Sequence, residues 1–129
     1  YIRFKAKDTL NRTSNYSNTG RVLLDTVAPP IPANITGTTP TNDTTPTISW
    51  DTVNDDNTGG SGMHPNAPYS IVYAKDSNFS VGKTVVNITT NSFTPTTALS
   101  AGRWYFHVRS RDKAVNPSEY GGTLEIVIQ

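Results

Sequence analysis

The run Trp104–Asp112 reads Trp-Tyr-Phe-His-Val-Arg-Ser-Arg-Asp. It places Trp104, Phe106, Val108 and Ser110 on one face and Tyr105, His107, Arg109 and Arg111 on the other. A period of two is that of a half-buried antiparallel strand; helical geometry would mix the two sets. The pattern occurs again at the start of the chain. There Ile2, Phe4 and Ala6 alternate with Arg3, Lys5 and Lys7, and Asp8 closes the run as Asp112 does. Asp112 follows Asp8 by 104 residues, and Tyr120 follows Tyr16 by the same 104. Val22 and Leu24 match the region Leu124 to Ile128, with one residue gained or lost between Asn11 and Asn116. Repeats of about 100 residues mean tandem domains, since solenoid units run to roughly 20–50.

The 129 residues and 14.0 kDa give room for one domain and a little more, enough for a core without metal or disulfide staples. Cysteine is absent, which removes disulfides, thiolate metal sites and cysteine nucleophiles but does not fix the compartment. Eleven basic residues nearly balance ten acidic ones, so no long-range field draws in nucleic acid or an anionic membrane. Thr and Ser are abundant, and nine Pro and nine Gly punctuate short apolar runs, a pattern of all-β chains. No stretch approaches the roughly 20 apolar residues of a membrane span. Tyr1 begins inside a strand pattern with no signal-like region before it, so an excised or processed piece is expected.

In order, Tyr1–Lys7 and about Arg21–Asp25 read as a hairpin without a sheet. Residues 26–32 read as a Pro-rich interdomain linker, because each Pro removes a donor and biases its predecessor to extended conformations. Residues 33–129 read as one domain. Its expected strands are an edge strand near Asn34–Thr38, then Thr45–Trp50, Tyr69–Ala74, Thr84–Ile88, Ser92–Thr94, Trp104–Asp112 and Tyr120–Ile128. The expected core is Trp50 beneath Trp104, with Tyr69, Ile71, Tyr73, Leu99, Phe106 and Val108. Between Asp51 and Pro68 no apolar period survives, so a long irregular loop is expected.

A Trp in the second strand, a Tyr-rich third and the run Gly102-Arg103-Trp104-Tyr105-Phe106-His107-Val108-Arg109 resemble a fibronectin type III domain over about residues 26–129. With Asp112-Lys113-Ala114-Val115-Asn116, the run looks like repeats of microbial secreted and cell-surface proteins. The resemblance implies an all-β, seven-stranded antiparallel Ig-like sandwich, preceded by a hairpin equivalent to the last two strands of a preceding repeat. It also implies an aromatic corner following Leu99, for which alternation selects Trp104. The usual Asp-Lys-Ala-Gly-Asn ending carries Val115 in place of Gly, so the turn is expected to form without a positive φ there.

Asp51, Asp55, Asp56 and Asn57, with Gly59, Gly60 and Gly62, offer hard oxygens on a flexible backbone, as a Ca²⁺ site requires; their spacing fits no EF-hand. No cofactor is otherwise expected. Six Asn-X-Ser/Thr sequons, at Asn11, Asn15, Asn34, Asn42, Asn78 and Asn87, are candidate N-glycosylation sites. Chance supplies roughly three at this composition. His64 and His107 have no Ser and carboxylate at triad-like positions, and no nucleophile-elbow motif is present, so no catalytic residue is assigned. Tyr69, Tyr73, Tyr105 and Tyr120 are either core residues or a stacking platform, and alternation puts Tyr69 and Tyr73 in the core.

The expected function is a non-enzymatic structural or adhesive module of an extracellular or cell-surface tandem-repeat protein. Its partners would be neighbouring repeats or like subunits, with a surface glycan or protein receptor as a further partner and no nucleic acid or membrane insertion. The hairpin is either a severed remnant or a trans-pairing segment of a filament assembled by strand addition. The alternative is a carbohydrate-binding accessory module of a secreted polysaccharide-degrading enzyme.

Overall fold

The computed structural model describes residues 2–15, 24–55 and 60–129. Among these residues it is all-β. The strands are β1 (Ile48–Ser49), β2 (Tyr69–Ala74), β3 (Thr84–Ile88), β4 (Ser92–Phe93), β5 (Gly102–Ser110) and β6 (Leu124–Ile128). One sheet pairs β1 with β4; the other has the order β3-β2-β5-β6, antiparallel throughout. No helix among the described residues is long and apolar enough to cross a membrane.

Strand β5 is the longest and sits inside the larger sheet, pairing Phe106 with Tyr73 on one side and with Leu124 on the other. Its alternation is as expected: Trp104, Phe106, Val108 and Ser110 are buried, while Tyr105, His107 and Arg109 are half-buried. Ile48 from the smaller sheet and Trp50 just after β1 pack into the same core, joined by Ile126 and Ile128 from the neighbouring strand β6. In β2 the expected inward set, Tyr69, Ile71 and Tyr73, packs on this core, but Val72 and Ala74 are fully buried too. A strand between two others is shielded on its outward face by its neighbours' side chains, and Val72 pairs with both Val85 and His107.

Three expectations change. The edge strand at Asn34–Thr38 contracts to a single bridge, Thr36 with Ser49, closed by reciprocal N–H···O bonds of 2.8 and 2.9 Å. Asn34, at φ 56°, breaks extension just before it. The strand at Thr45–Trp50 likewise shortens to Ile48–Ser49. The described structure thus has six strands and a bridge where seven strands were expected. Trp50 is in the core but not beneath Trp104. It meets Tyr69 edge-on at 5.4 Å, and Tyr69 pairs with Ser110 at the far end of β5, whereas Trp104 lies 6.1 Å from Tyr73.

Trp104 does form the corner. Its Nε1–H donates to the Ser100 carbonyl at 2.9 Å, just after buried Leu99. An indole so placed buries a large apolar surface and still satisfies its donor. Of the hairpin expected over residues 1–25, the described part is a bridge between Lys7 and Thr13 with no strand assigned. Tyr1, Tyr16 and residues 21–23 lie outside the described residues.

Candidate functional site

Two constellations stand out: a repeated aspartate turn and the acidic cluster in which one copy of that turn takes part. In the copy that follows β5, Asp112 N–H donates to Asn116 O (3.2 Å), Val115 N–H to Asp112 O (3.1 Å) and Asn116 N–H to Asp112 Oδ1 (2.8 Å). Ser118 N–H donates to Ser110 O and Ser110 N–H to Ser118 Oγ, both at 2.9 Å. Subtracting 104 from each number reproduces the set near the N-terminus. Asp8 N–H reaches Arg12 O (2.9 Å), Asn11 N–H reaches Asp8 O (3.1 Å) and Arg12 N–H reaches Asp8 Oδ1 (2.9 Å). Ser14 N–H reaches Ala6 O (2.8 Å) and Ala6 N–H reaches Ser14 Oγ (2.9 Å).

The two turns therefore align without a gap, and the expected insertion between Asn11 and Asn116 is not there. Both also need one residue in the left-handed region: Asn11 and Val115 each have φ 66°. This overturns the expectation for Val115. The turn keeps its positive φ, and a β-branched residue carries the strain in place of Gly.

Of the four candidate Ca²⁺ ligands, Asp56 and Asn57 lie outside the described residues. Asp51 is exposed and accepts a 2.6 Å bond from Asn34 Nδ2. Asp55 is buried, and its carboxylate joins those of Asp25 and Asp112, with one oxygen of each within 4.8 Å of the others. Sequence reasoning grouped Asp55 with its neighbours in the chain and missed the two distant partners; no local spacing links them. Three carboxylates this close repel, and burial strips their water, so donors must hold them. Those donors are Gly62 N–H to Asp55 (3.0 Å), Val27 and Ser61 N–H to Asp25 (3.0 and 2.8 Å), and Asn116 N–H and Nδ2 to Asp112 (2.8 and 2.9 Å). The Ser61 hydroxyl first, then the Val27 and Ser61 N–H groups and the Asp112 carboxyl, hold the Asp25 pKa below the usual carboxylate range against desolvation. Chemically the group is a set of hard oxygens tied to N–H donors where the Asp25–Pro32 segment meets the domain.

The histidines serve packing and loop closure. His64 Nδ1 accepts N–H bonds from Asn66 (3.2 Å) and Ala67 (3.1 Å), closing its own loop. His107 is sandwiched on the outer face of the larger sheet between Phe79 (3.6 Å between ring centroids) and Tyr120 (3.8 Å), all nearly parallel. Burial, with Lys83 and Arg109 nearby, lowers its pKa from 6.5 to about 4. Nothing in the sequence singled out Phe79, which reaches the stack from the turn after β2.

Tyr69 is buried, and its hydroxyl accepts the Val53 N–H at 2.9 Å. Tyr73 stacks on Phe106. Tyr120 has His107 stacked on its ring, and Tyr105 lies half-buried on the outer face. All six sequon asparagines are exposed: Asn11, Asn15, Asn34, Asn42, Asn78 and Asn87. Asn87, on β3, accepts a hydrogen bond from Ser70.

No family model matches the chain, and a search of curated proteins finds no match. Among solved structures, a fibronectin type III-like protein from Clostridium thermocellum superposes with a TM-score of 0.55 at 17% identity, covering 80% of this chain and 96% of that one. The sheet partition, the Trp104 corner and this likeness agree: the chain has a fibronectin type III-like β-sandwich fold.

Proposed function

We propose that the chain is a non-enzymatic structural module of an extracellular or cell-surface tandem-repeat protein, in which residues 1–25 are the last two strands of a preceding repeat. One observation carries this reading: the bond-for-bond recurrence of the Asp112 turn at Asp8. Under the same offset Ile2 corresponds to Phe106 and Phe4 to Val108. Phe106 and Val108 are 0% and 1% exposed, Ile2 and Phe4 45% and 72%. An exposed apolar face of that kind fits a strand whose counterpart is a core strand. Fibronectin type III-like folds are typically non-catalytic modules, and fold alone assigns no ligand.

The spacer reading is preferred to a filament built by strand addition. A second copy offers no vacancy for residues 2–7, because its own β5 fills the corresponding slot between β2 and β6. Light scattering behind size-exclusion chromatography, over a concentration series, tests this. A monomer at every concentration supports the spacer; open-ended growth with concentration supports the filament. The carbohydrate-binding alternative has one supporting feature, a cleft of about 640 Å³ lined by Tyr73, Phe93, Trp104, Lys75 and several Thr hydroxyls. Polysaccharide binding abolished by Thr84→Val with folding intact would favour it.

A further inference from the structure

The offset of 104 also places the boundary between repeats. Leu24 corresponds to Ile128, the last residue of β6, and Asp25 to Gln129. An ordinary interdomain linker would begin there, with several residues belonging to neither domain. Here none is left over, since Asp25 itself is held by the following domain. Its carboxylate accepts the Ser61 N–H at 2.8 Å, and its carbonyl accepts Asn116 Nδ2 at 2.9 Å. Pro29 and Pro32 are buried, and between them the Pro30 carbonyl takes a 2.6 Å bond from Ser110 Oγ, at the buried end of β5. The Pro32 carbonyl lies so close to Gly121 that a Cβ there would sit 2.5 Å from it, so a side chain at residue 121 would push the segment away. Three prolines with fixed φ complete a stretch with little freedom of its own.

Building on the tandem reading, we propose that consecutive repeats are joined without a flexible linker. The last strand of one repeat runs directly into a segment docked along the β5 end of the next, so the array is a stiff rod with a preset angle between modules. Asp25, Asn116, Ser110 and Gly121 are the residues that dock it. The partner surface is the end of a second repeat of the same kind, reached through the chain itself.

Backbone ¹⁵N relaxation on the full chain tests the docking. The expected order parameters of Asp25, Thr26, Val27, Ala28 and Ile31 are about 0.8 or higher, like those of β5. Values below about 0.6 in the unaltered chain, with β5 rigid, would overturn the proposal. Asp25→Ala and Gly121→Ala are each expected to lower these values while the β2 and β5 amides keep theirs. Unchanged values in both variants would equally overturn the assigned anchors. The outcome is independent of the tandem reading: a mobile segment leaves the matched turns untouched, and polymerisation in light scattering leaves the relaxation result standing.

Discussion

The Asp8 turn and the Asp112 turn share backbone hydrogen bonds, a residue at φ 66° and a serine six positions after the aspartate, yet they live in different surroundings. Asp112 is fully buried and its Oδ2 binds Asn116 Nδ2, which also reaches the Asp25 carbonyl. Asp8 is exposed, and its Oδ2 takes Arg12 Nε at 2.7 Å in a solvated ion pair. The turn is thus written locally, in the Asp and Ser side chains that cap their own backbone. Burial is not local. For Asp112 it comes from Asp55, the Ser61–His64 segment and Asp25, which close on this turn from distant parts of the chain.

The comparison breaks most sharply in the core. Phe106→Ala is expected to cost about 3–5 kcal/mol in urea denaturation, whereas Ile2→Ala at the equivalent position is expected to stay within about 0.5 kcal/mol. An equal cost at both sites would show that residues 2–7 are already packed. One step down, Asp112→Ala strands the Asn116 amide and is expected to cost about 2–3 kcal/mol. Asp8→Ala is expected to leave the unfolding midpoint unchanged. Smaller still, Val115→Gly is expected to stabilise by about 0.5–1 kcal/mol, because relief of left-handed strain outweighs the entropy of Gly and Val115 is exposed. Asn11→Gly is expected to do less, since Asn tolerates that region.

A further contrast between the two copies is a pH dependence. His107 has a folded pKa of about 4 against 6.5 unfolded, and its counterpart in the first copy is an arginine, Arg3. Between those values the unfolded chain binds a proton that the folded chain does not. Its contribution is complete above 6.5 and is lost as pH falls toward 4, above the window where the lowered Asp8, Asp25 and Asp76 carboxylates lose theirs. Thermal melts of His107→Phe are expected to be flat between pH 6.5 and 4.5; a slope equal to that of the unaltered chain would rule His107 out as the source.

The alternation of β5, the strands β2, β3 and β6 and the offset of 104 were legible because each is a short-range pattern with period two or a motif repeated along one chain. The two tryptophans were legible as core but not as neighbours, because which end of β5 each occupies depends on loops between strands. The acidic cluster was the least legible feature. Asp25, Asp55 and Asp112 come from a Pro-rich segment, an irregular loop and a strand end, and only the closed sandwich brings them together. Val115 misled for a physical reason: intrinsic preference argues against a left-handed Val, and the pinned ends of the Asp112 turn overrule it.

The most direct test places ahead of Ile2 the strands that precede Phe106 in the second copy. Placing residues 26–105 immediately ahead of Ile2 restores, under the 104-residue offset, every strand of a preceding repeat, and the native repeat downstream serves as an internal control. Hydrogen exchange should then find the amides of residues 2–7 protected to within about tenfold of those of β5, with Phe4 no longer accessible. If they exchange at the rate of an unstructured chain while β5 stays protected, residues 1–25 are not the end of such a repeat.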